Sequence, residues 1–497
     1  MAKKEIRLQY SGFVIFAARM LSVATGLIFS LMIARSTSPE EYGIWFNMGD
    51  LASYFTLFAG VLPFWIMRFI ARGEKGATKT GVMANLAISA AATLIYILII
   101  PLTTSALGVS QKYLHLYILI SAEIIEFYLI EAFEACLRAK MPQTLGYGLL
   151  IAEVCKVILG YIFIVTLQQS IQGAIVSIIM SWALQIFFYI KILAEELRQT
   201  AKLSYIKEWF KGSLVNVYNI IGNQIANFIF IMLFTYGGEA ARGNYGAAAQ
   251  IANIITYPSF LAFALYPKLL AEKNDKDITV SIKTVLMFAL PMTAGALAMP
   301  ESYLTILKEE YKEAWPVLMV LAIDALIATI SLIFSFVFYG LERVDEKAQI
   351  SFRELIRSKL FIGFSLTYVH SAITLPTTLY ILTTYTQNRP VQSALSVAII
   401  NSVARFAMFL ILYVMVRRMT EIKIPWKNIL KYVFASAVMA IFLYVIPHPT
   451  RIYLTLSITA LGGIVYFTLL MAIDKESRTL AQSAWQKIKI KLKGVLA

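Results

Sequence analysis

The chain has 497 residues, of which 59% are hydrophobic and only 15% charged, with a mean hydropathy of +0.71. Average soluble proteins are about 45–50% apolar and about 25% charged, so this composition excludes a soluble surface of that size, and 31 Phe with 27 Tyr exclude intrinsic disorder. Two Cys and three His exclude a disulfide scaffold and most zinc arrangements; the net charge of +15, which in a soluble protein would suggest nucleic acid, points in a membrane protein to basic cytoplasmic loops.

Lys3, Lys4 and Arg7 precede an apolar run that is too long for a cleaved signal and reads as a first membrane helix. A hydrocarbon layer of about 30 Å needs about 20 apolar residues in a helix. On that rule the sequence predicts an all-α, polytopic membrane protein with about 14 transmembrane helices. They fall near 11–34, 43–67, 81–103, 113–137, 144–167, 172–194, 213–236, 245–268, 282–300, 315–340, 360–382, 391–416, 428–446 and 450–473. Alternate connections differ sharply in basic residues. With the N-terminus inside, 34 of the 44 Lys and Arg fall on the cytoplasmic side. Seven fall outside (Arg35, Lys112, Arg242, Lys308, Lys312, Arg389 and Arg451), and three fall within spans. This positive-inside pattern predicts both termini in the cytoplasm.

A repeat is legible. ARSTSPEEYGIW joins the first two spans and TYGGEAARGNYGAAAQ joins the seventh and eighth; each second helix opens with Tyr-Gly, at Tyr42-Gly43 and Tyr245-Gly246. Each ends in a basic stretch, at Arg68 and at Lys268. The expected organisation is an N-lobe (1–194), a cytoplasmic linker (195–212) and a C-lobe (213–416). Two further helices (417–473) and a basic cytoplasmic tail (474–497) follow. Two six-helix lobes in parallel pseudo-two-fold repeat suit a transporter that rocks around a midplane site.

The connection Ala34-Arg35-Ser36-Thr37-Ser38-Pro39-Glu40-Glu41-Tyr42-Gly43, a first helix rich in Ser, Gly and Phe, and Arg68-Phe69-Ile70-Ala71-Arg72 closing the second helix resemble the Wzx-like polysaccharide flippases. These belong to the multidrug/oligosaccharidyl-lipid/polysaccharide exporter superfamily. Members commonly read Ala-Arg-x-Leu-Gly/Ser-Pro-x-x-Tyr-Gly; Thr37 stands here where Leu is usual. The resemblance covers about 60 residues. It implies a transporter of polyprenyl- or dolichyl-linked glycans and does not identify the glycan. Locally the motif needs only a tight turn, with Pro39 fixing φ and Gly43 permitting close helix packing.

Ionisable groups within a membrane cost about 2.5–3.5 kcal/mol each on insertion scales and so mark function or pairing. Eight lie near span centres: Arg19, Asp50, Glu123, Glu126, Glu153, Lys156, Asp324 and Arg405. Glu123, Glu126, Glu131 and Glu134 share one helical face; Glu153 and Lys156 are i,i+3 neighbours. Asn216, Asn219, Asn223 and Asn227 form a stripe on the seventh span, Gln250, Asn253 and Tyr257 one on the eighth, and Asn401 with Arg405 one on the twelfth. Such stripes suit a hydrated cavity, or helix-to-helix hydrogen bonds alone.

The expected roles follow. Arg19, Lys156 and Arg405 would hold phosphate; Asn219, Asn223, Asn253 and Tyr257 would contact sugar. Asp50, Glu123, Glu126, Glu153 and Asp324 would serve coupling to H+ or Na+, since these acids outnumber the cations beside them. Arg19 and Arg405 could instead pair privately with a neighbouring acid. His115 and His370 are isolated and carry no assigned role.

No Gly-x-x-x-x-Gly-Lys-Ser/Thr loop and no His-Glu-x-x-His motif occurs, so neither an enzyme nor a cofactor is expected. Lys487, Lys489, Lys491 and Lys493 alternate with apolar residues and suit anionic membrane lipids. The sequence therefore predicts a multi-pass flippase of the cytoplasmic membrane acting on a lipid-linked oligosaccharide, with no nucleic-acid partner. A cation-coupled multidrug or metabolite exporter of the same fold is the alternative. A polytopic glycosyltransferase or polymer ligase is disfavoured, because no outer loop is long enough to carry a catalytic site.

Overall fold

The computed structural model describes residues 8–212, 214–262, 265, 275–341 and 359–478; the side chains at 8–13, 16, 211–216, 275, 340, 359 and 360 lie outside that description. All regular elements among them are helical. In chain order they are α1 (Leu8–Ser36), α2 (Pro39–Phe55), α3 (Pro63–Ala71), α4 (Ala77–Ala106), α5 (Leu114–Leu119), α6 (Ser121–Lys140), α7 (Gln143–Gly160), α8 (Ser170–Ile192), α9 (Ala194–Leu197) and α10 (Ser204–Gly212). Then come α11 (Leu214–Gly237), α12 (Glu239–Ala252), α13 (Asp275–Ala298), α14 (Pro300–Leu307), α15 (Trp315–Leu341), α16 (Lys359–Thr384), α17 (Pro390–Arg417), α18 (Trp426–Val445) and α19 (Ile452–Ile473).

Among the described residues, ten helices are long and apolar enough to cross a membrane. The other four expected spans coincide with polar or broken segments. The second is split into α2 and α3 by a turn at 56–62, and the fourth is α5 with the glutamate-bearing α6. The eighth is α12, which tightens into a 3₁₀ helix at Asn253–Ala262 around Pro258. The eleventh is the Thr-rich α16. Helices surrounded by other helices need no continuous apolar surface, because neighbours satisfy their polar groups. At the break after α2 the freed Phe55 carbonyl accepts a hydrogen bond from Tyr128 Oη at 3.1 Å. Lipid-facing helices show the opposite character: Leu98 and Leu102 of α4 are 70% and 75% exposed, as residues solvated by acyl chains must be. The expected pairing of Lys268 with Arg68 and the tail lysines 487–493 lie outside the described residues.

The chain forms two compact units, one of residues 1–246 with 351–357 and 364–393, the other of 247–350, 358–363 and 394–497. In the first, one core gathers Leu62, Phe69, Phe133, Tyr189 and Trp209. A second core gathers Met48, Tyr96, Tyr117, Ile124 and Phe234. Tyrosines stitch the helices: Tyr96 Oη donates to the Tyr117 carbonyl at 2.8 Å, and Tyr117 Oη to Asn47 Oδ1 at 2.7 Å. In the second unit Val285, Phe338, Tyr432 and Tyr466 are core residues. At one end of it, Lys431 and Ser477 bind the Asp474 carboxylate at 2.9 and 2.5 Å. Burial alone would push the Asp474 carboxyl up, but the Ser477 and Lys431 hydrogen bonds hold it below the ordinary range.

Ser38 caps α2 in a capping box with Glu41, and Pro39 occupies the first turn. This fixes where α2 starts and aims Gly43 at α12. A Cβ on Gly43 would collide with the Glu239 carbonyl and lie 3.1 Å from the Gly243 nitrogen; one on Gly243 would collide with the Pro39 carbonyl. The two helices cross backbone to backbone, and only glycine fits. Gly43→Ala and Gly243→Ala are therefore expected to destabilise the protein by about 1–3 kcal/mol, as overpacking does. Gly26→Ala, whose Cβ would meet nothing within 4 Å, should be neutral or slightly stabilising. Thermal unfolding of the purified variants measures this contrast.

Candidate functional site

Within the first unit, α2 carries Asp50 about two helical turns after Gly43 and on the same face. Arg242 of α12 meets it with two parallel hydrogen bonds, Nε to Oδ2 at 2.7 Å and Nη2 to Oδ1 at 2.9 Å. The guanidinium also lies 4.6 Å from the Phe46 ring centroid and 4.9 Å from that of Phe230. Arg242 is 5% exposed. α12 begins at Glu239, so Arg242 lies inside a helix and not in the outer loop where the charge count had placed it. The excess of acids over cations was the one sign in the sequence that a further cation was needed.

Glu153 of α7 pairs with Lys156 at 2.8 Å, as their spacing predicts, and accepts from Thr25 at 2.5 Å and Ser22 at 3.5 Å. These partners come from α1, which packs along α7 through Gly146 and Gly160. Lys156 is also 5.7 Å from the Phe29 ring. Arg19, a turn before Ser22 on α1, is exposed. It makes no ion pair among the described residues, and it acts electrostatically on Glu131 and Glu134. Glu134 is additionally met by Tyr189 at 3.4 Å and Gln185 at 3.5 Å.

Glu123 and Glu126 stand differently. Glu123 Oε1 and Glu126 Oε2 are buried with no hydrogen-bond partner, and neither residue has an ion pair among the described residues. They are neighbours one turn apart, each within electrostatic reach of the other. Lys156 on the next helix is committed to Glu153. On α11, Asn219 is half-buried and Asn223 and Asn227 exposed, so the stripe presents amides away from its own unit's core. The side chain of Asn216 lies outside the described residues. Gln224 on the neighbouring face donates to Ser53 at 2.7 Å, and its carbonyl accepts from Tyr54 at 3.3 Å.

In the second unit Arg405 of α17 lies 3.1 Å from Asp324 of α15; Asp324 is 6% exposed. Asn253 is exposed, and half-buried Tyr257 stacks on Phe260 with ring centroids 6.0 Å apart. The expected site residues thus sort into ion pairs (Asp50–Arg242, Glu153–Lys156, Asp324–Arg405) and groups without one: Arg19, Glu123 and Glu126. Arg405 takes the private pairing that was open for it; Arg19 does not.

A chain with this helix order and these polar inner helices has known structural counterparts. It is similar in structure to the lipid II flippase MurJ in an inward closed conformation, with TM-score 0.65 and 15% identity over 93% of this chain and 98% of that one. It is also similar to a multidrug resistance MATE family transporter of the MOP superfamily. The inward-facing form gives TM-score 0.57 and 15% identity over 82% of this chain and 98% of that one. The outward-facing form gives TM-score 0.51 and 15% identity over 82% and 95%. No protein-family profile and no curated protein sequence matches the chain. It shares a fold with these structural counterparts. The chain is a multi-pass membrane protein.

The Asp50–Arg242 pair yields a direct test. Truncating one partner of a buried pair leaves a desolvated charge and costs about 3–5 kcal/mol. Arg242→Ala is expected to destabilise the protein by that amount, whereas Asp50→Asn combined with Arg242→Gln should cost less than Arg242→Ala alone. A double-mutant cycle on thermal or denaturant unfolding measures the coupling.

Proposed function

We propose that the chain flips a lipid-linked oligosaccharide, carried on a polyprenyl or dolichyl phosphate or diphosphate, across the cytoplasmic membrane by alternating access. The product would serve cell-surface polysaccharide or glycan assembly. The observation that carries this reading is the extent of the likeness to a lipid flippase. It takes in 93% of this chain, leaving out less sequence than α18 and α19 occupy, while the likeness to the multidrug transporter takes in 82%. In this reading Arg19 is the first phosphate contact, because no carboxylate among the described residues is bonded to it. Lys156 and Arg405 contribute through pairs that they already hold. Asn219, Asn223, Asn253 and Tyr257 offer amide and phenol groups to sugar. Residues 1–194 and 213–416 would form the two moving lobes, with both chain ends in the cytoplasm as the basic loops indicate.

The second reading, a cation-coupled multidrug or metabolite exporter, is favoured by one observation, the two partnerless carboxylates Glu123 and Glu126. The two readings share a device: a carboxylate pair without a counter-ion suits H+ or Na+ uptake during the cycle, whatever the cargo.

Three experiments bear on this. Purified protein in liposomes should translocate a short-chain polyprenyl-diphosphate oligosaccharide. Arg19→Ala should slow that about tenfold to a hundredfold, the range for loss of a charged hydrogen bond, and Arg19→Lys should recover part of it. Translocation by Arg19→Ala at the wild-type rate would remove Arg19 from the site, and export of cationic drugs without glycolipid movement would select the second reading. In the same liposomes, Glu123→Gln or Glu126→Gln should abolish any dependence of rate on a proton or Na+ gradient; a wild-type rate indifferent to both gradients ends the coupling role. For orientation, a single Cys near Gly76 or Asn428 should react with an impermeant thiol reagent only in opened cells, and one near Gly238 in intact cells.

A further inference from the structure

Residues 195–212 were expected to be a linker. They are fastened to the first unit. The Gly76 nitrogen donates to Gln199 Oε1 at 2.7 Å, the Lys202 nitrogen to Thr80 Oγ1 at 2.8 Å, and Tyr205 Oη to Glu74 Oε2 at 2.8 Å. Gly76 has φ +80°, and a Cβ there would collide with the Thr200 carbonyl. Tyr205 and Trp209 bury one face of α10 against Phe69, with ring centroids 5.0 and 5.5 Å away. These bonds fix depth. Thr80 sits in the first turn of the membrane helix α4, so α10 lies at the rim of the hydrocarbon layer.

The face that α10 leaves open is apolar. Leu203 is 72% exposed and Phe210 51%, with half-buried Ile206 between them. At 100° per residue these three fall within about 60° of arc. Lys207 flanks the stripe on its open side, whereas Glu208 points well away from it. Nearby Arg72, Lys75 and Arg198 are exposed, and two of the local acids are occupied, Glu74 by Tyr205 and Glu196 by Lys140 at 2.5 Å. An apolar stripe edged by cations at the hydrocarbon rim matches an anionic phospholipid leaflet in both polarity and charge.

We propose that α10 is a lipid-binding interfacial helix: Leu203, Ile206 and Phe210 enter the headgroup–acyl boundary, and Lys75 and Lys207 bind the phosphates of anionic phospholipids. The inference rests on burial and charge in the first unit and does not depend on what the protein transports. The test uses the full chain with Cys136 and Cys155 replaced, reconstituted in phosphatidylcholine vesicles with or without phosphatidylglycerol. A fluorophore on Leu203→Cys should be quenched by a lipid carrying its quencher just below the headgroup and protected from aqueous iodide. A fluorophore on Glu208→Cys should behave the opposite way. Equal iodide quenching at both positions overturns the proposal and leaves the stripe to a protein partner. In detergent, phosphatidylglycerol should raise the unfolding temperature. Lys75→Gln with Lys207→Gln should raise the half-maximal lipid concentration about fivefold per cation, and the two Lys→Arg changes should restore it. An unchanged lipid requirement overturns the anionic preference, and if the double Gln variant fails to fold, the quenching measurement decides alone.

Discussion

Hydrocarbon offers no partner to a charge or to an open backbone group, and that single constraint organises this protein. An ionisable side chain placed at membrane depth is costly unless it is answered from within its own bundle. Asp50, Glu153 and Asp324 are answered by Arg242, Lys156 and Arg405. The Phe55 carbonyl, freed where α2 breaks, is answered by Tyr128. Against that background the groups left unanswered carry information. Glu123 and Glu126 keep buried oxygens without partners, an arrangement that hydrocarbon penalises.

The crossing of α2 and α12 shows how two local features depend on one another. Gly43 and Gly243 remove the side chains that would hold the helices apart. The resulting close approach lets Asp50 and Arg242 meet on the same face, with the guanidinium between the Phe46 and Phe230 rings. In such surroundings a bidentate pair is strong but costly to form, so it specifies this crossing against others more than it adds net stability. The glycines permit the contact, and the ion pair selects it.

Fold class was legible because span length and charge asymmetry are summed over hundreds of residues and survive local irregularity. The use of Gly43 was legible too, since a glycine one turn past Pro39 has few reasons other than a close approach. What sequence could not give was partnership across the chain. Arg242 stands in an Ala- and Gly-rich stretch of low hydropathy, which reads as loop; its partner is 192 positions away. The docking of the linker was hidden for a similar reason. Its polar, charged composition suits a tether, and only the hydrogen bonds from Gly76, Lys202 and Tyr205 reveal that it is clamped. Glu153 and Lys156 were readable because helical spacing alone brings them together.

Charge pairing also separates the three cations that composition treated as equals. An anion approaching Lys156 must compete with Glu153 at 2.8 Å, and one approaching Arg405 with Asp324 at 3.1 Å. In each case a formed pair has to be broken or shared before a phosphate gains anything. Arg19 is different in kind. It is exposed, has no bonded carboxylate among the described residues, and acts on Glu131 and Glu134 only from a distance. An anion there would meet a diffuse field and not a carboxylate already in contact. The same reasoning separates the acids. Asp50, Glu153 and Asp324 already hold a fixed cation and have little to gain from a mobile one, whereas Glu123 and Glu126 have everything to gain. The groups without an ion pair among the described residues thus fall on two helices of the same unit, Arg19 on α1 and the glutamate pair on α6. The paired residues keep the helices that carry them in place.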